Sequence, residues 1–307
     1  MMEYEGILPV MKPAGFTSHD VVAKIRGILK MKRIGHTGTL DPQVTGVLPL
    51  CLGRATRMVE YLQELPKEYE ATLVLGIATD TEDLTGTVTE RLEEGVQVNR
   101  EQVLRVLERF HGTISQIPPM YSALKQDGKR LYELAREGIT VERKAREVTI
   151  HELELTGLKL EQTYPEISLR VLCSKGTYIR TLCVDIGQAL GVPASMSVLK
   201  RTVSAGISAE SCLTFEEITR LAADGTLQDY LIPVDKAVHH LSAVQVSDEK
   251  AKAALQGQRL SPSAVHPVPE RQQIIRLYDS GGRFLGIYKR EADSGAIAPV
   301  KVFAQNE

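Results

Sequence analysis

The residues between Arg33 and Pro42 combine side-chain types that could do chemistry. In order they are Arg33, Ile34, Gly35, His36, Thr37, Gly38, Thr39, Leu40, Asp41 and Pro42. An ionised aspartate can attack an anomeric carbon or stabilise positive charge that develops there, as the carboxylates of glycosidases do. The alternative is that Asp41 only caps a turn, which Asp-Pro pairs commonly do. The local pattern leaves both interpretations open.

The residues around Asp41 predict a stiff loop. From residue 33 to residue 50 the sequence has neither helical nor two-residue periodicity, which favours an ordered loop between apolar elements. Gly35 and Gly38 permit backbone conformations closed to other residues. Pro42 pushes Asp41 towards an extended conformation and cannot donate a main-chain hydrogen bond. We therefore expect the carboxylate on a rigid support.

Regular elements predicted around this loop would position it. Three capping patterns each predict a helix start: Thr17 with Asp20, Asn99 with Gln102, and Thr214 with Glu217. Apolar spacing predicts that the first of these helices runs from Ser18 to about Lys30, and that another runs from Gly53 to Leu62. Alternation predicts strands over residues 6–11, 67–76, 87–89, 147–155 and 166–173. A glycine turn after the last of these strands leads into a helix with Arg180 in its first turn.

Composition and charge set limits on the class of protein. The chain has 307 residues, which is enough for one large domain and a small one. Its net charge is -2. Residues 6–40 carry six positive side chains and one negative, or +5, so a basic patch adjoins the loop. The cysteines are too scattered for a zinc or disulfide framework. No apolar run is long enough to span a membrane and no signal sequence is evident, so a cytoplasmic protein is expected.

Two further segments have alternative interpretations. Basic and aromatic residues alternate between Gln116 and Gly138, a composition that favours a surface for looped RNA, although an amphipathic helix over residues 129–137 would explain part of it. The acidic segment from Thr79 to Gly86 lacks the spacing of a calcium loop, so a solvated turn is expected there. Beyond residue 242, short strands are predicted over residues 255–260, 274–279 and 281–288.

The segment Gly35-His36-Thr37-Gly38-Thr39-Leu40-Asp41-Pro42 resembles the signature loop of the TruB family of tRNA pseudouridine synthases, in which the aspartate is catalytic. Similar family motifs are matched at residues 12–18, 67–69, 116–125, 128–138, 176–180 and 196–202. Together the matches cover most of residues 6–240. The resemblance implies an α/β (α+β) fold, with a mixed, mainly antiparallel central sheet flanked by helices and a small β-rich domain of the PUA type at the carboxyl end.

The resemblance also implies roles for individual residues. Arg180 would pair with catalytic Asp41, although alone it could be a surface cation. Tyr69 would line the active site as a proton acceptor, although the pattern equally fits a core aromatic. Tyr178 and Leu199 would shape the base pocket, and Asp83 would pair with Arg180.

Contacts to the substrate RNA are expected from six basic residues in or beside the motifs. They are Lys12, Arg33, Lys125, Arg130, Lys200 and Arg201. Lys200 stands where the family usually has arginine, which weakens its assignment. His36 would stack in the opened RNA loop, or it would be a loop histidine bonded to backbone.

The family function implied is isomerisation of uridine 55 in the T loop of tRNA to pseudouridine, without cofactor or metal. Both a covalent ribose ester and a glycal intermediate fit the residues. The expected division is a catalytic domain over residues 1–241, with an RNA-gripping insertion at about 118–146, and a PUA-like RNA-binding domain over residues 242–307. A monomer that binds the tRNA T arm and no membrane is the default expectation.

Two other function classes compete with this one. The first is a non-catalytic RNA-binding or RNA-folding protein, which would not need Asp41 combined with Tyr69 and Arg180. The second is a glycosidase or metallohydrolase using Asp41 and His36, which lacks a second acid at a recognisable position and lacks metal-ligand spacing.

Overall fold

The structure is a computed structural model that describes residues 4–303. Its α-helices are α1 (Ser18–Leu29), α2 (Val59–Glu64), α3 (Arg100–Leu107), α4 (Leu131–Arg136), α5 (Ile179–Leu190), α6 (Phe215–Ala223), α7 (Val234–Ala237) and α8 (Asp248–Leu255). The strands of its amino-terminal half are β1 (Gly6–Lys12), β2 (Ile34–His36), β3 (Thr45–Leu52), β4 (Lys67–Leu75), β5 (Ile77–Thr79), β6 (Val88–Arg91), β7 (Gly112–Gln116), β8 (Lys125–Gln126) and β9 (Lys129–Arg130). The later strands are β10 (Arg146–Lys159), β11 (Glu166–Cys173), β12 (Ala194–Ser204), β13 (Ile207–Ser208), β14 (Ser242–Val246), β15 (Val265–His266), β16 (Ile274–Tyr278), β17 (Phe284–Arg290) and β18 (Ile297–Val302).

A nine-stranded mixed sheet forms the centre of the described residues, in the order β1-β3-β12-β4-β11-β10-β7, with β2 paired to β3 and β13 paired to β12. Its pairs are antiparallel except β3 with β12, which run parallel. Strands β14 to β18 form a separate five-stranded sheet. The predicted fold class, a mixed and mainly antiparallel sheet with helices and a β-rich carboxyl-terminal part, is confirmed.

The two halves of the central sheet are buried differently. In β11 every second residue is buried, because one face packs against α3 and α5 while the other faces solvent. In β3 all residues from Gly46 to Leu52 are buried, because side chains on both faces enter hydrophobic clusters. The prediction of a loop from residue 33 to residue 50 is therefore wrong at β2, and wrong again from Thr45 onwards, where a strand buried on both faces loses the alternation that marks it in sequence.

Local capping signals placed the helices well. Thr17 with Asp20, Asn99 with Gln102, and Thr214 with Glu217 each form the reciprocal hydrogen bonds of a capping box, so these three predicted helix starts are confirmed. Residues 53–58 form a 3-10 turn ahead of α2, where a single helix was predicted.

The carboxyl-terminal part differs from the prediction in one element. The strand predicted over residues 255–260 is wrong, because the chain forms α8 up to Leu255 and then turns. The strands predicted near 274 and 284 are present as β16 and β17. Within residues 4–303, no helix is long and apolar enough to cross a membrane.

Candidate active site

A cleft of about 940 Å³ opens at the end of the central sheet where β2, β4 and β12 approach the start of α5. One wall, the sheet wall, is formed by residues 37–44 together with residues of β4, β12 and α5. The opposite wall, the insertion wall, is formed by residues 121–124, Arg130, Tyr132 and Arg136. The cleft joins three carboxylates (Asp41, Glu64 and Asp83), four tyrosines and several cations in one space.

The segment that carries Asp41 is fixed by backbone hydrogen bonds. The Leu40 N–H donates to Ser18 Oγ over 2.9 Å, and the Pro42 carbonyl accepts from the Gly15 N–H over 2.9 Å. Gly38 has a φ of +151°, as the glycine argument predicts. The predicted rigid support for Asp41 is therefore present, because α1 and the residues before it hold the loop through these hydrogen bonds.

Lys12 is completely buried beneath this loop. Its ammonium donates to the carbonyl oxygens of Val44, Pro42 and Pro13 over 2.6, 2.9 and 3.0 Å. Burial lowers the pKa of Lys12 to about 8, and the Asp41 charge partly opposes that effect. The predicted contact between Lys12 and the substrate RNA is therefore wrong, because the ammonium faces the chain's own carbonyls and stabilises the loop.

Arg201 on β12, like Lys12, is buried and bonded to backbone carbonyls. It is 1% exposed, and its guanidinium donates to Val47 O over 2.8 Å and to Gly38 O over 3.5 Å. The lack of a side chain at Gly46 allows the backbones of β3 and β12 to lie close together here, because a Cβ at Gly46 would lie 2.1 Å from the Arg201 carbonyl oxygen. Arg201 therefore holds the loop and also lines the cleft, so its predicted contact with the substrate RNA stays a prediction.

Arg180 connects three parts of the site. Its Nε lies 3.0 Å from Asp41 Oδ2, its Nη1 donates to Thr81 O over 2.8 Å, and its Nη2 donates to Tyr121 O over 2.8 Å. The side chain of Arg180 is 5% exposed and that of Asp41 is 42% exposed. The guanidinium is thus fixed from behind, while the carboxylate it holds faces the cleft.

The predicted aromatic and apolar residues also reach the cleft. Tyr69 on β4, Tyr178 before α5 and Leu199 on β12 all line it. Burial is the main cause that raises the pKa of Tyr69, opposed by the charge of Arg201, so its phenol is neutral at neutral pH. Burial likewise raises the pKa of Tyr178. A neutral phenol is not a base, so the raised pKa of Tyr69 argues against its predicted role as a proton acceptor and favours a role in lining the base pocket.

The other predicted site residues lie at varied distances from the cleft. Arg130 lines it, whereas the lining contributed by the described residues does not include His36, Arg33, Lys125 or Lys200. The predicted contact between Lys200 and the substrate RNA is also wrong. Lys200 alternates with Leu199 and Arg201 on β12 and so projects from the opposite face of the sheet. Arg33 is exposed and donates to Thr56 Oγ1 over 2.9 Å.

His36 lies just outside the cleft, half-buried at the end of β2. Its Nδ1 accepts from the Gly38 N–H over 3.3 Å, which is the backbone-bonded arrangement weighed as an alternative. Burial lowers the pKa of His36, and the charge of His19 acts in the same direction. The two imidazole rings meet edge to face, with 5.4 Å between centroids.

Asp83 does not pair with Arg180, which is the third correction. Its Oδ1 accepts from Thr81 Oγ1 and from the N–H and Oγ1 of Thr85, so the carboxylate is used within its own turn. The turn reaches Arg180 through the backbone carbonyl of Thr81 instead. Side-chain type alone could not distinguish these two ways of holding a guanidinium.

Sequence reasoning missed several residues that complete the site. Gln116 at the end of β7 is buried, and its amide both accepts from the Tyr178 N–H over 2.8 Å and donates to the Tyr178 carbonyl over 3.1 Å. His19 in the first turn of α1 lines the cleft. Gln116 lay within a recognised motif, but a buried amide that clamps a distant backbone gives no local signal.

The described residues contain no group of three or more His, Cys, Asp or Glu side chains arranged to hold a metal ion. The site thus consists of Asp41 fixed by a buried arginine, beside two neutral tyrosines and between walls that carry positive charge. Such an arrangement can stabilise or attack an electron-poor carbon in a substrate large enough to contact both walls.

Comparisons with known proteins find matches over most of the chain. The model of the TruB family pseudouridylate synthase N-terminal domain matches residues 26–179. The models of the tRNA pseudouridylate synthase B C-terminal domain and of the pseudouridine synthase II TruB C-terminal region match residues 180–239 and 242–303.

Among individual proteins, the chain is 47% identical over 304 residues to tRNA pseudouridine synthase B of Bacillus licheniformis, covering 98% of both chains. It is 44% identical over 302 residues to the protein of the same name from Bacillus subtilis, again covering 98% of both. A solved H/ACA RNP bound to a substrate RNA containing 2'-deoxyuridine has a chain that superposes with a TM-score of 0.75 at 28% identity, covering 98% of this chain and 85% of that one. A chain in a Cbf5-Nop10-Gar1 complex gives a TM-score of 0.76 at 29% identity, with coverage of 98% and 84%.

Proposed function

The chain belongs to the TruB family of pseudouridylate synthases, and we propose that it isomerises uridine 55 in the T arm of tRNA to pseudouridine. The reaction breaks the bond between ribose C1' and uracil N1, turns the base, and joins C1' to C5. The C5 proton is lost and N1 gains one, so the product is an isomer. This chemistry consumes no electrons and is assigned here to side chains without a cofactor.

We assign the central role to Asp41. The observation that carries the proposal is the 3.0 Å pair between Arg180 Nε and Asp41 Oδ2, in which the guanidinium is buried and the carboxylate is exposed to the cleft. The buried guanidinium therefore fixes the position of the carboxylate that faces the cleft. An ionised carboxylate at this place can attack C1' or stabilise the positive charge that develops there.

Tyr69, Tyr178 and Leu199 would hold the target base. A base must leave its stack to reach a carboxylate at the bottom of a cleft, and aromatic side chains then offer it a new stacking surface. All three residues line the space beside Asp41. In a glycal pathway, the carboxylate of Asp41 would accept the 2' proton of the ribose, because the neutral phenol of Tyr69 is not a base.

Positive residues at the rim would hold the RNA backbone. Arg130 lines the insertion wall, Lys125 is exposed on the same insertion, and Arg33 is exposed near the loop. His36 would stack in the opened T loop from its position beside His19. Exposed cations suit phosphate contacts because they give up little hydration before the RNA arrives.

We propose that residues 1–241 form the catalytic domain, that about 118–146 form its RNA-gripping insertion, and that residues 242–307 form a PUA-like RNA-binding domain. Support comes from the separate pairing of β14 to β18 and from their own hydrophobic cluster, within the described part of the chain. The protein is proposed to act in the cytoplasm as a monomer. Light scattering of the full chain with and without a T-arm stem-loop would reveal a dimer if this is wrong.

The test of the function is release of tritium from uracil C5 in a T-arm transcript. The unchanged protein should release the label with chelator present and no cofactor added. Asp41→Asn should bind the transcript within a few-fold of the unchanged protein and release no label. Tight binding without release by the unchanged protein, on a transcript that another synthase converts, would favour the non-catalytic RNA-binding alternative.

A further inference from the structure

Glu82 has a backbone conformation that its side-chain type does not explain. It lies in the turn between β5 and β6 with a φ of +65°, a left-handed conformation that residues other than glycine rarely adopt. Its side chain is half-buried, and burial raises the pKa of Glu82. A strained backbone and a partly desolvated carboxylate at one residue suggest that the side chain is used.

The contacts of Glu82 tie this turn to other elements. Its Oε2 accepts a hydrogen bond of 2.5 Å from Thr181 Oγ1 in the first turn of α5. Its carbonyl oxygen accepts from the Met196 N–H on β12 over 3.0 Å, and its own N–H donates to Thr79 O over 3.3 Å. The residue is therefore fixed through both its side chain and its backbone.

The Glu82 bond lies beside the bond that holds Arg180 from behind. Arg180 Nη1 donates to the carbonyl of Thr81, and Thr181 donates to the side chain of Glu82. Two consecutive residues of α5 thus hold two consecutive residues of the turn. We call this pair of bonds the turn clamp.

Electrostatics make the Thr181 bond important for the carboxylate. The charged groups that act on Glu82 are Arg180, Arg143, Asp83 and Asp185. The two arginines favour its ionised form and the two aspartates oppose it. Thr181 supplies a hydrogen-bond donor that favours the ionised form as well.

We propose that Glu82 is a positioning residue for the isomerisation, holding Arg180 against Asp41 through the turn clamp. This inference rests on the proposed function, and it concerns a residue that does not itself line the cleft, although its neighbours Thr81 and Asp83 do. Without the bond from Thr181, the turn keeps its backbone bonds but loses its side-chain link to α5, so the Thr81 carbonyl can shift relative to the guanidinium of Arg180. Small displacements of positioned groups lower turnover much more than binding.

The first part of the test uses a substitution that relieves the backbone while it removes the side chain. Glu82→Gly should keep or raise the melting temperature, because glycine accepts a positive φ readily. It should nevertheless lower kcat for tritium release about tenfold and leave KM for the transcript within about twofold. A residue with a merely structural role would show a loss of stability and no such split.

Two further variants examine the bond itself. Thr181→Val should cause the same loss of kcat, and the double variant should lose no more than either single one, because both remove one interaction. Glu82→Gln keeps an acceptor oxygen for Thr181 and should retain most of the turnover. Ala205→Gly, at another positive φ of +55° on the turn after β12, is the matched control and should leave kcat unchanged.

An activity-independent measurement separates this proposal from the function. The Arg180 Nε–H resonance, identified by its absence in Arg180→Lys, should exchange slowly with solvent in the unchanged protein and faster in Glu82→Gly and Thr181→Val. If the unchanged protein released no tritium, the proposed function would fail, and faster exchange in both variants would still support the clamp. Unchanged kcat and unchanged exchange in both variants would overturn it.

Discussion

The two walls of the cleft use positive charge in different ways. The cations of the sheet wall, Arg180 and Arg201, are at least 95% buried, and so is Lys12 on β1, which braces the loop without lining the cleft. Each of the three donates to backbone carbonyls of the chain itself. On the insertion wall, Arg130 and Arg136 lie over the ring of Tyr132, with 5.8 and 5.4 Å from guanidinium carbon to ring centroid, and Arg136 is exposed.

The difference separates positioning from attraction. A buried cation satisfied by carbonyls cannot move without leaving acceptors unpaired, so it fixes the backbone around Asp41. An exposed cation retains its hydration and its rotamers, and its field is screened by salt. The sheet wall is therefore suited to electrostatic preorganisation of the reaction, and the insertion wall to contact with a large anionic substrate.

The largest expected effect is at Arg180. Arg180→Met should lower kcat about 1,000-fold, because Asp41 loses its charge partner and its fixed position, while RNA affinity changes only a few-fold. Single-turnover tritium release and filter binding measure the two quantities. Arg170→Met is the matched control, since Arg170 pairs with Glu68, Glu152 and Glu154 away from the cleft. Equal losses of binding and turnover would erase the distinction between the walls.

A second test concerns the buried lysine. Lys12→Met leaves the carbonyls of Pro13, Pro42 and Val44 without their donor, so the free energy of unfolding should fall by about 2 to 3 kcal/mol. Urea unfolding measures this, and turnover should fall with the loop's order. The exposed Lys32→Met should change neither. If Lys12→Met instead altered only RNA affinity, Lys12 would belong with the cations of the insertion wall.

How far the sequence predicts these features depends on the range of the contacts. Capping boxes such as Thr17 with Asp20 depend on residues three apart and were predicted correctly. The role of Lys12 depends on carbonyls about thirty residues away, so its position in a basic stretch suggested a contact with the substrate RNA. Strand β3 was mistaken for loop because burial of both faces removes its alternation. The positive φ of Glu82 has no sequence signal at all.

A third, smaller effect should appear in the pH dependence of stability. Burial, followed by the charge of Glu82, raises the pKa of Asp185 from 3.8 to about 6. Between those pH values the unfolded chain releases a proton that the folded chain retains, so the free energy of unfolding should fall as pH rises.

Asp185→Asn removes this contribution. The variant should therefore become more stable relative to the unchanged protein as pH rises from 4 to 6, by on the order of 2 kcal/mol. Urea unfolding of both proteins at pH 4 and pH 6 measures the difference. A difference that stays constant with pH would show that burial beside Glu82 does not keep this carboxyl protonated.

The smallest expected effect lies on the insertion wall. Arg136→Ala should raise KM for the transcript a few-fold at constant kcat and reduce the slope of log affinity against log salt by about 1. Arg105→Ala, at an exposed i,i+4 pair with Glu101 on α3, is the control and should keep the slope. A fall in kcat without a change in salt slope would assign Arg136 to positioning and remove the contrast.

The hydrogen bond between Arg180 and the Tyr121 carbonyl crosses from one wall to the other. Any ligand that orders residues 121–124 also restrains the guanidinium beside Asp41, and thermodynamic linkage makes the effect reciprocal. Neutralising Asp41 should consequently loosen the insertion as well as stop the reaction. RNA binding at residues 121–124 and the positioning of the Asp41 carboxylate are then coupled in one equilibrium.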